Sequence, residues 1–214
     1  MIEKIGSSGY EALSTPDSVV LKILDNLTLS GAKKSLTYYE IGVGIGVTTL
    51  EVAKRLNNSG TIILFSLERE VSELASDLAK LGFTNIDSSW GSPSRTYSGY
   101  HFQLAQGFVA GLLKPFDLAY IDGGHVFHLD APAACVLKEL CKPGGYMLFD
   151  DWYWSIAKSP SLNPSVKPDI LLKYDDEQIK VCHVQLVCKV VMDTDSRFEF
   201  LGVEQGTAVY RRYV

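Results

Sequence analysis

Cysteine is sparse and unpatterned in this 214-residue sequence. Cys135, Cys141, Cys182 and Cys188 include no Cys-x-x-Cys pair, so a zinc ribbon or disulfide scaffold is not expected, and they read as reduced core thiols of a cytoplasmic protein. No apolar run approaches the roughly 18 residues of a membrane span, and no secretory leader is visible. Positive charge is thin and scattered. The 20 Lys and Arg face 25 Asp and Glu, and with a net charge of −5 and no basic stripe a nucleic-acid partner is not expected. Internal repeats and low-complexity tracts are also missing. What remains is ordinary globular usage, 46% hydrophobic and 21% charged, at a length that suits one domain burying roughly 70% of its unfolded surface.

Periodicity organises the chain. Thr15-Pro16-Asp17 opens an amphipathic helix with Thr15 as its expected cap and Val19, Val20, Ile23, Leu24 and Leu27 on one face. Strands are expected at 35–41, 61–67, 85–90, 116–121 and 146–149, with helices at 48–56, 71–81, 103–113 and 129–141 between them. This alternation predicts an α/β fold with a doubly wound, mostly parallel sheet covered by helices on both faces. Lys142-Pro143-Gly144-Gly145 reads as a turn, 155–168 as a proline-rich lid, 175–192 as a final helix, and 197–201 with 207–212 as an antiparallel hairpin. The expected layout is one domain, 1–214: a helical cap at 1–34, a core at 35–152, a lid at 153–172, and the closing helix and hairpin at 173–214. The apolar stretch 181–192 offers a homodimer face.

In open α/β sheets ligands bind beyond the carboxyl ends of the strands. Those positions are acidic here: Glu40 and Glu68 after the first two strands, Asp122 after the fourth, and Asp150-Asp151 after the fifth. A purely structural sheet has no reason to gather acids there. Between Glu40 and the next helix, Gly42-Val43-Gly44-Ile45-Gly46 lets the backbone turn sharply and approach a ligand with free N–H groups behind it. The third glycine comes one residue too early for a dinucleotide fingerprint, whose last position holds Val47 here. A nucleoside fits better than a pyrophosphate. Glu40 would repel a pyrophosphate but can pair with an ammonium group, and Glu68 can accept hydrogen bonds from ribose hydroxyls. Each feature also has a plain structural reading, in a tight turn or a helix cap.

Taken with Tyr120-Ile121-Asp122-Gly123-Gly124-His125, Lys142-Pro143-Gly144-Gly145 and Asp150-Asp151, these residues resemble a class I S-adenosylmethionine-dependent methyltransferase over about 35–152. The similarity leans towards the metal-using small-molecule O-methyltransferases of the catechol and sugar types. It implies a seven-stranded Rossmann-like sheet and S-adenosylmethionine as cofactor. By the resemblance, Glu40 lies near the methionine end, Gly42 and Gly44 pass beneath the cofactor, Thr48 bonds its carboxylate, Glu68 holds the ribose, and Ser92 and Asp122 sit against it. Asp122, Asp150 and Asp151 match the positions that bind Mg²⁺, a hard cation suited to carboxylate oxygens. His125 stands where the catechol type has its proton-accepting Lys, while Gly124 replaces the sugar-type base. A histidine suits that work near neutral pH; His128 is the reserve, and His101 and His183 read as structural or surface residues. Trp152-Tyr153-Trp154 can stack on an acceptor or pack beneath the lid.

The expected reaction is methyl transfer to a hydroxyl of a small molecule such as a sugar, phenol or natural product, with a divalent metal assisting. Alternatives are a nicotinamide-dependent oxidoreductase, disfavoured by the glycine spacing, and a non-catalytic binding protein on the same scaffold. The Asn/Asp-Pro-Pro-Tyr/Phe motif of nucleic-acid amino-methylation is not found in the sequence.

Overall fold

In the computed structural model, which describes residues 1–29 and 35–213, the apolar runs become the centre of a seven-stranded sheet. β1 (Leu36–Ile41), β2 (Gly60–Phe65), β3 (Ile86–Asp87), β4 (Phe116–Ile121) and β5 (Cys141–Phe149) run parallel. β7 (Thr207–Arg212) pairs antiparallel with β5, and β6 (Phe198–Glu204) forms the outer edge against β7. The order β3-β2-β1-β4-β5-β7-β6 reverses between β1 and β4, the switch point where a ligand crevice is expected.

Every residue of β4 is buried, because helices cover both faces. On one face Tyr38, Leu64, Tyr120 and Leu148 pack under α1 (Ser18–Leu29), α2 (Val47–Leu56) and α3 (Glu68–Lys80). On the other, Tyr39, Ile41, Phe65 and Ile121 pack under α4 (Tyr100–Val109) and α5 (Phe127–Leu140). Burying each such side chain contributes about 1.5–3 kcal/mol, so the strands that carry the site are held from two sides.

Local differences from expectation have physical causes. Asp17, not Thr15, caps α1: its Oδ1 accepts the Val20 N–H at 2.8 Å. The expected 34/35 boundary touches residues outside the described ones. The Pro-Gly-Gly segment is no turn but the arched first half of β5, where the β4 register shifts and Gly144 takes φ +73°. The single helix expected over 175–192 is broken into α6 (Asp176–Lys180), α7 (His183–Val187) and a π-turn over Cys188–Met192. The break lies where the His183 Nε2 sits 2.6 Å from the Gln178 carbonyl. His183 Nδ1 accepts the Phe127 N–H at 3.1 Å, so the ring proton belongs on Nε2, facing that carbonyl.

Much of the same apolar segment turns inward, with Val190 left exposed. Val184, Val187, Cys188, Val191 and Met192 are spent in the core beneath α5. Cys141 and Cys188 are buried in the core, whereas Cys135 is exposed. The lid region builds a small core of its own from Ile156, Ile170 and Ile179. Among the described residues no helix is long and apolar enough to cross a membrane.

Candidate active site

The glycine turn links β1 to α2 at the switch point, and its backbone separates two cavities. Gly42 has φ +83°, and a Cβ there would lie 2.0 Å from the Asp122 carbonyl oxygen, so the turn is pressed against the end of β4. Gly44, at φ +51°, has nothing within 4 Å of its missing Cβ and faces open space. The glycines thus do different work: one closes the turn onto the sheet, and the other leaves room above it.

The larger cavity, about 470 Å³, is lined by Asp17, Glu40, Asp122, Asp150 and Asp151 with His125. Among the described residues no Lys or Arg lines its wall. Glu40 is buried beside the Tyr38 and Thr49 hydroxyls, yet Oε2 of Glu40 makes no well-directed hydrogen bond. Burial pushes this carboxyl up to about 8, against the smaller lowering pull of Thr49 and Tyr38. Asp122 is raised by burial and then by its neighbours Asp150, Asp151, Glu40 and Asp17. Its side chain still keeps 35% of its surface open to the cavity, so it is surrounded by protein without being sealed. Such a wall is short of positive charge and suits a cationic ligand.

Thr48 also lines this cavity, with Oγ1 accepting the Asp17 N–H at 3.1 Å. Asp17 escaped the sequence analysis as a site residue. It joins the site through Thr207, whose hydroxyl lies 2.8 Å from Asp17 Oδ2 and 3.0 Å from Asp150 Oδ1. Tyr10, by contrast, lies under Lys4, and Ala12 and Leu13 are the N-terminal residues that reach the cavity.

The smaller cavity, about 240 Å³, lies on the other side of Gly44 and is lined by Ser66, Leu67, Glu70, Ser92 and Tyr100. Glu68 is not on its wall. β2 ends at Phe65, two residues earlier than the apolar pattern implies, and Glu68 becomes the first residue of α3 with its Cα against Gly91. Glu70 faces the cavity instead, accepting the Ser66 hydroxyl at 2.5 Å and pairing with Arg95. Ser92 is buried there, donating to the Ser66 carbonyl at 3.0 Å. An i, i+4 step along α3 from Ser66 was the available sequence signal.

His125 sits between two carboxylates, Nε2 being 3.5 Å from Asp122 Oδ1 and 3.4 Å from Asp151 Oδ2. Both His125 (φ +51°) and Asp151 (φ +57°) occupy left-handed backbone that non-glycine residues avoid. Strain of ~1–3 kcal/mol held at such residues points to a functional turn. Trp154 packs against His125 with ring centroids 5.7 Å apart, while Trp152 stacks on Phe200 and Tyr153 is exposed. His128 lies by Tyr174, and His183 is buried and structural. His101 Nδ1 is buried without a partner.

The three expected Mg²⁺ carboxylates share the cavity but do not converge. Asp150 gives one oxygen to the Tyr120 hydroxyl at 2.9 Å and the other to Thr207, and His125 lies between Asp122 and Asp151. Among the described residues no group of three or more His, Cys, Asp or Glu side chains is placed to hold a metal ion.

Residues 39–152 match a protein family described as "Methyltransferase domain". No curated protein matches the sequence. Solved structures match along the whole chain at low identity. A methyltransferase of Podospora anserina bound to SAH has a TM-score of 0.63 and 15% identity, covering 100% of this chain and 86% of that one. The O-methyltransferase TomG of Streptomyces achromogenes, involved in tomaymycin synthesis and in complex with SAM, has a TM-score of 0.61 and 16% identity, covering 100% and 89%. A putative caffeoyl-CoA O-methyltransferase of Staphylococcus aureus has a TM-score of 0.61 and 17% identity, covering 99% and 91%. At these identities the likeness is one of fold.

Proposed function

We propose a function from the premise that this chain belongs to the methyltransferase domain family: it is an S-adenosylmethionine-dependent methyltransferase acting on a hydroxyl of a small molecule. The observation that carries this reading is the buried Glu40 carboxyl, its Oε2 without a hydrogen bond, on a cation-seeking cavity joined across Gly44 to a second, smaller cavity. Glu40 answers the ammonium at the methionine end, Thr48 its carboxylate, and Gly42 and Gly44 form the floor. Ser92, Ser66 and Glu70 face the adenosine. Glu68 acts through its backbone, whose N–H donates to the Ser92 carbonyl at 2.9 Å.

When bound, S-adenosylmethionine would supply a sulfonium methyl carbon for in-line attack by the acceptor oxygen, the C–S electron pair leaving on sulfur as a neutral thioether. The chain holds donor and acceptor at one end of the sheet, where orientation lowers the barrier. His125 takes the hydroxyl proton on Nε2, and Asp122 and Asp151 offset the charge it gains. Trp154 backs the imidazole and narrows the acceptor side. The larger cavity is within the usual range for small ligands and is too acidic for a phosphate backbone. The whole of 1–214 acts as one unit in the cytoplasm.

Isothermal titration with S-adenosylmethionine and with NADH tests the reading. Binding of the first alone supports it, and binding of NADH alone overturns it.

A divalent cation is the second reading, favoured by the five carboxylates on one wall. Their oxygens have the right chemistry for Mg²⁺, but as placed they do not fit it, and no step is routed through a metal here. Methyl transfer that survives EDTA and the paired D150A/D151A change would eliminate this version. Loss of transfer in EDTA with recovery in Mg²⁺ would establish it.

A further inference from the structure

Asp130 and Tyr100 are buried polar residues that the proposed chemistry does not use, set within the apolar core under α4 and α5. Tyr100 is the first residue of α4, and Asp130 lies in the first turn of α5. The Tyr100 hydroxyl donates to Asp130 Oδ1, and the Tyr100 hydroxyl oxygen accepts the Gly124 N–H at 2.9 Å. Gly123 and Gly124 press on that hydroxyl: a Cβ at Gly123 would lie 2.7 Å from it, and one at Gly124 3.2 Å. The next residue is His125, in left-handed backbone.

Burial raises the Asp130 carboxyl above its ordinary range, against the Tyr100 hydroxyl, the His125 imidazole, the Gly124 amide and His128, because a buried charge is disfavoured unless partners hold it. Here the charge-assisted bond from Tyr100 fixes the hydroxyl, and the hydroxyl fixes one amide of a four-residue turn. Without that acceptor the Gly124 N–H, packed under Leu129, would keep only the Asp130 carboxyl within reach, and the left-handed His125 would rest on its side-chain contacts with Trp154, Asp122 and Asp151 alone. Tyr100 also lines the smaller cavity, so one side chain borders the cofactor with its ring and sets the base with its oxygen.

We propose that Asp130 and Tyr100 are positioning residues, which act through the Gly124 amide to hold His125 between Asp122 and Asp151. This rests on the methyltransferase reading for its effect on rate, but not for its effect on the turn.

The test uses the full chain with Tyr100→Phe, Asp130→Asn and Asp130→Ala, and S-adenosylhomocysteine as the binding probe. In Y100F, amide hydrogen exchange across 122–128 rises about ten-fold while β6 and β7 are unchanged, a local opening and not a global one. Affinity for S-adenosylhomocysteine stays within about three-fold, because the ring remains, and kcat falls about ten-fold. D130N, which keeps an oxygen to accept the Tyr100 O–H, is milder than D130A. In an H125A background Y100F changes kcat less than about two-fold, as expected when one residue acts through another. Unchanged exchange in Y100F, or the same loss of kcat in the H125A background, overturns the proposal. If wild-type protein fails to bind the probe, the methyltransferase reading fails and the exchange result still decides the role of the turn.

Discussion

The two sides of the crevice are built on opposite plans. The side formed by β1, β2 and the glycine turn selects by shape: missing side chains at Gly42 and Gly44, a floor of backbone, and one buried acid. The side formed by the ends of β4 and β5 selects by charge, with Asp122, His125, Asp150 and Asp151 crowded together and two of them strained. Glycine allows close approach without strain on the first side, whereas the second holds His125 and Asp151 in left-handed backbone.

The largest effect that would sharpen this contrast is expected at Gly42. G42A puts a methyl group into the Asp122 carbonyl, and at φ +83° the cost is roughly 3 kcal/mol or more in urea unfolding. G44A should lose only about 1 kcal/mol, since its Cβ meets nothing, and should weaken S-adenosylmethionine binding with the fold intact. If G44A binds the cofactor as the wild type does, the turn is not its floor.

Next comes the charged side. H125A should lower kcat about 100- to 1,000-fold while titration calorimetry finds cofactor affinity within about three-fold. A rate unchanged by H125A removes the imidazole from the chemistry.

Glu40 belongs to both plans and yields a pH signature. Its folded value of about 8 lies above the ordinary 4.5, so the free protein keeps this contribution to stability below pH 4.5 and loses it as the pH rises to about 8. A cationic ligand requires the ionised form, so binding releases a proton and affinity climbs by up to about ten-fold per pH unit between pH 6 and 8. E40Q should flatten both slopes, and an unchanged affinity profile would separate Glu40 from the ammonium. The smallest effect concerns strain: H125G should raise unfolding free energy by about 1 kcal/mol while activity is lost.

Legibility followed the same divide. β4 was readable to its ends, because a buried parallel strand is a continuous apolar run bounded by Pro115 and Asp122. The glycine turn and the acids at the strand ends announced the site. Glu68 was misplaced because Ser66 and Leu67 continue the pattern of β2 beyond its sheet pairing, where β3 offers only two residues. Asp17 was invisible as a site residue because its partners, Thr48 and Thr207, are distant in sequence. The broken helix at 181–182 carries no Pro or Gly; it depends on a ring contact between His183 and Gln178 that periodicity does not encode.

The tip of the β6–β7 hairpin has a consequence for the order in which the protein is made. Gln205 (φ +51°) and Gly206 (φ +92°) form a two-residue turn that reaches the cavity, where Gln205 accepts from Ser18 and Thr207 ties Asp17 to Asp150. On the ribosome, residues 17 to 151 can be complete and paired while this wall is still unmade. A nascent chain therefore holds every acid of the site before it has the stopper that gathers them. That wall is closed only once the hairpin has paired with β5 and brought Gln205 to the cavity.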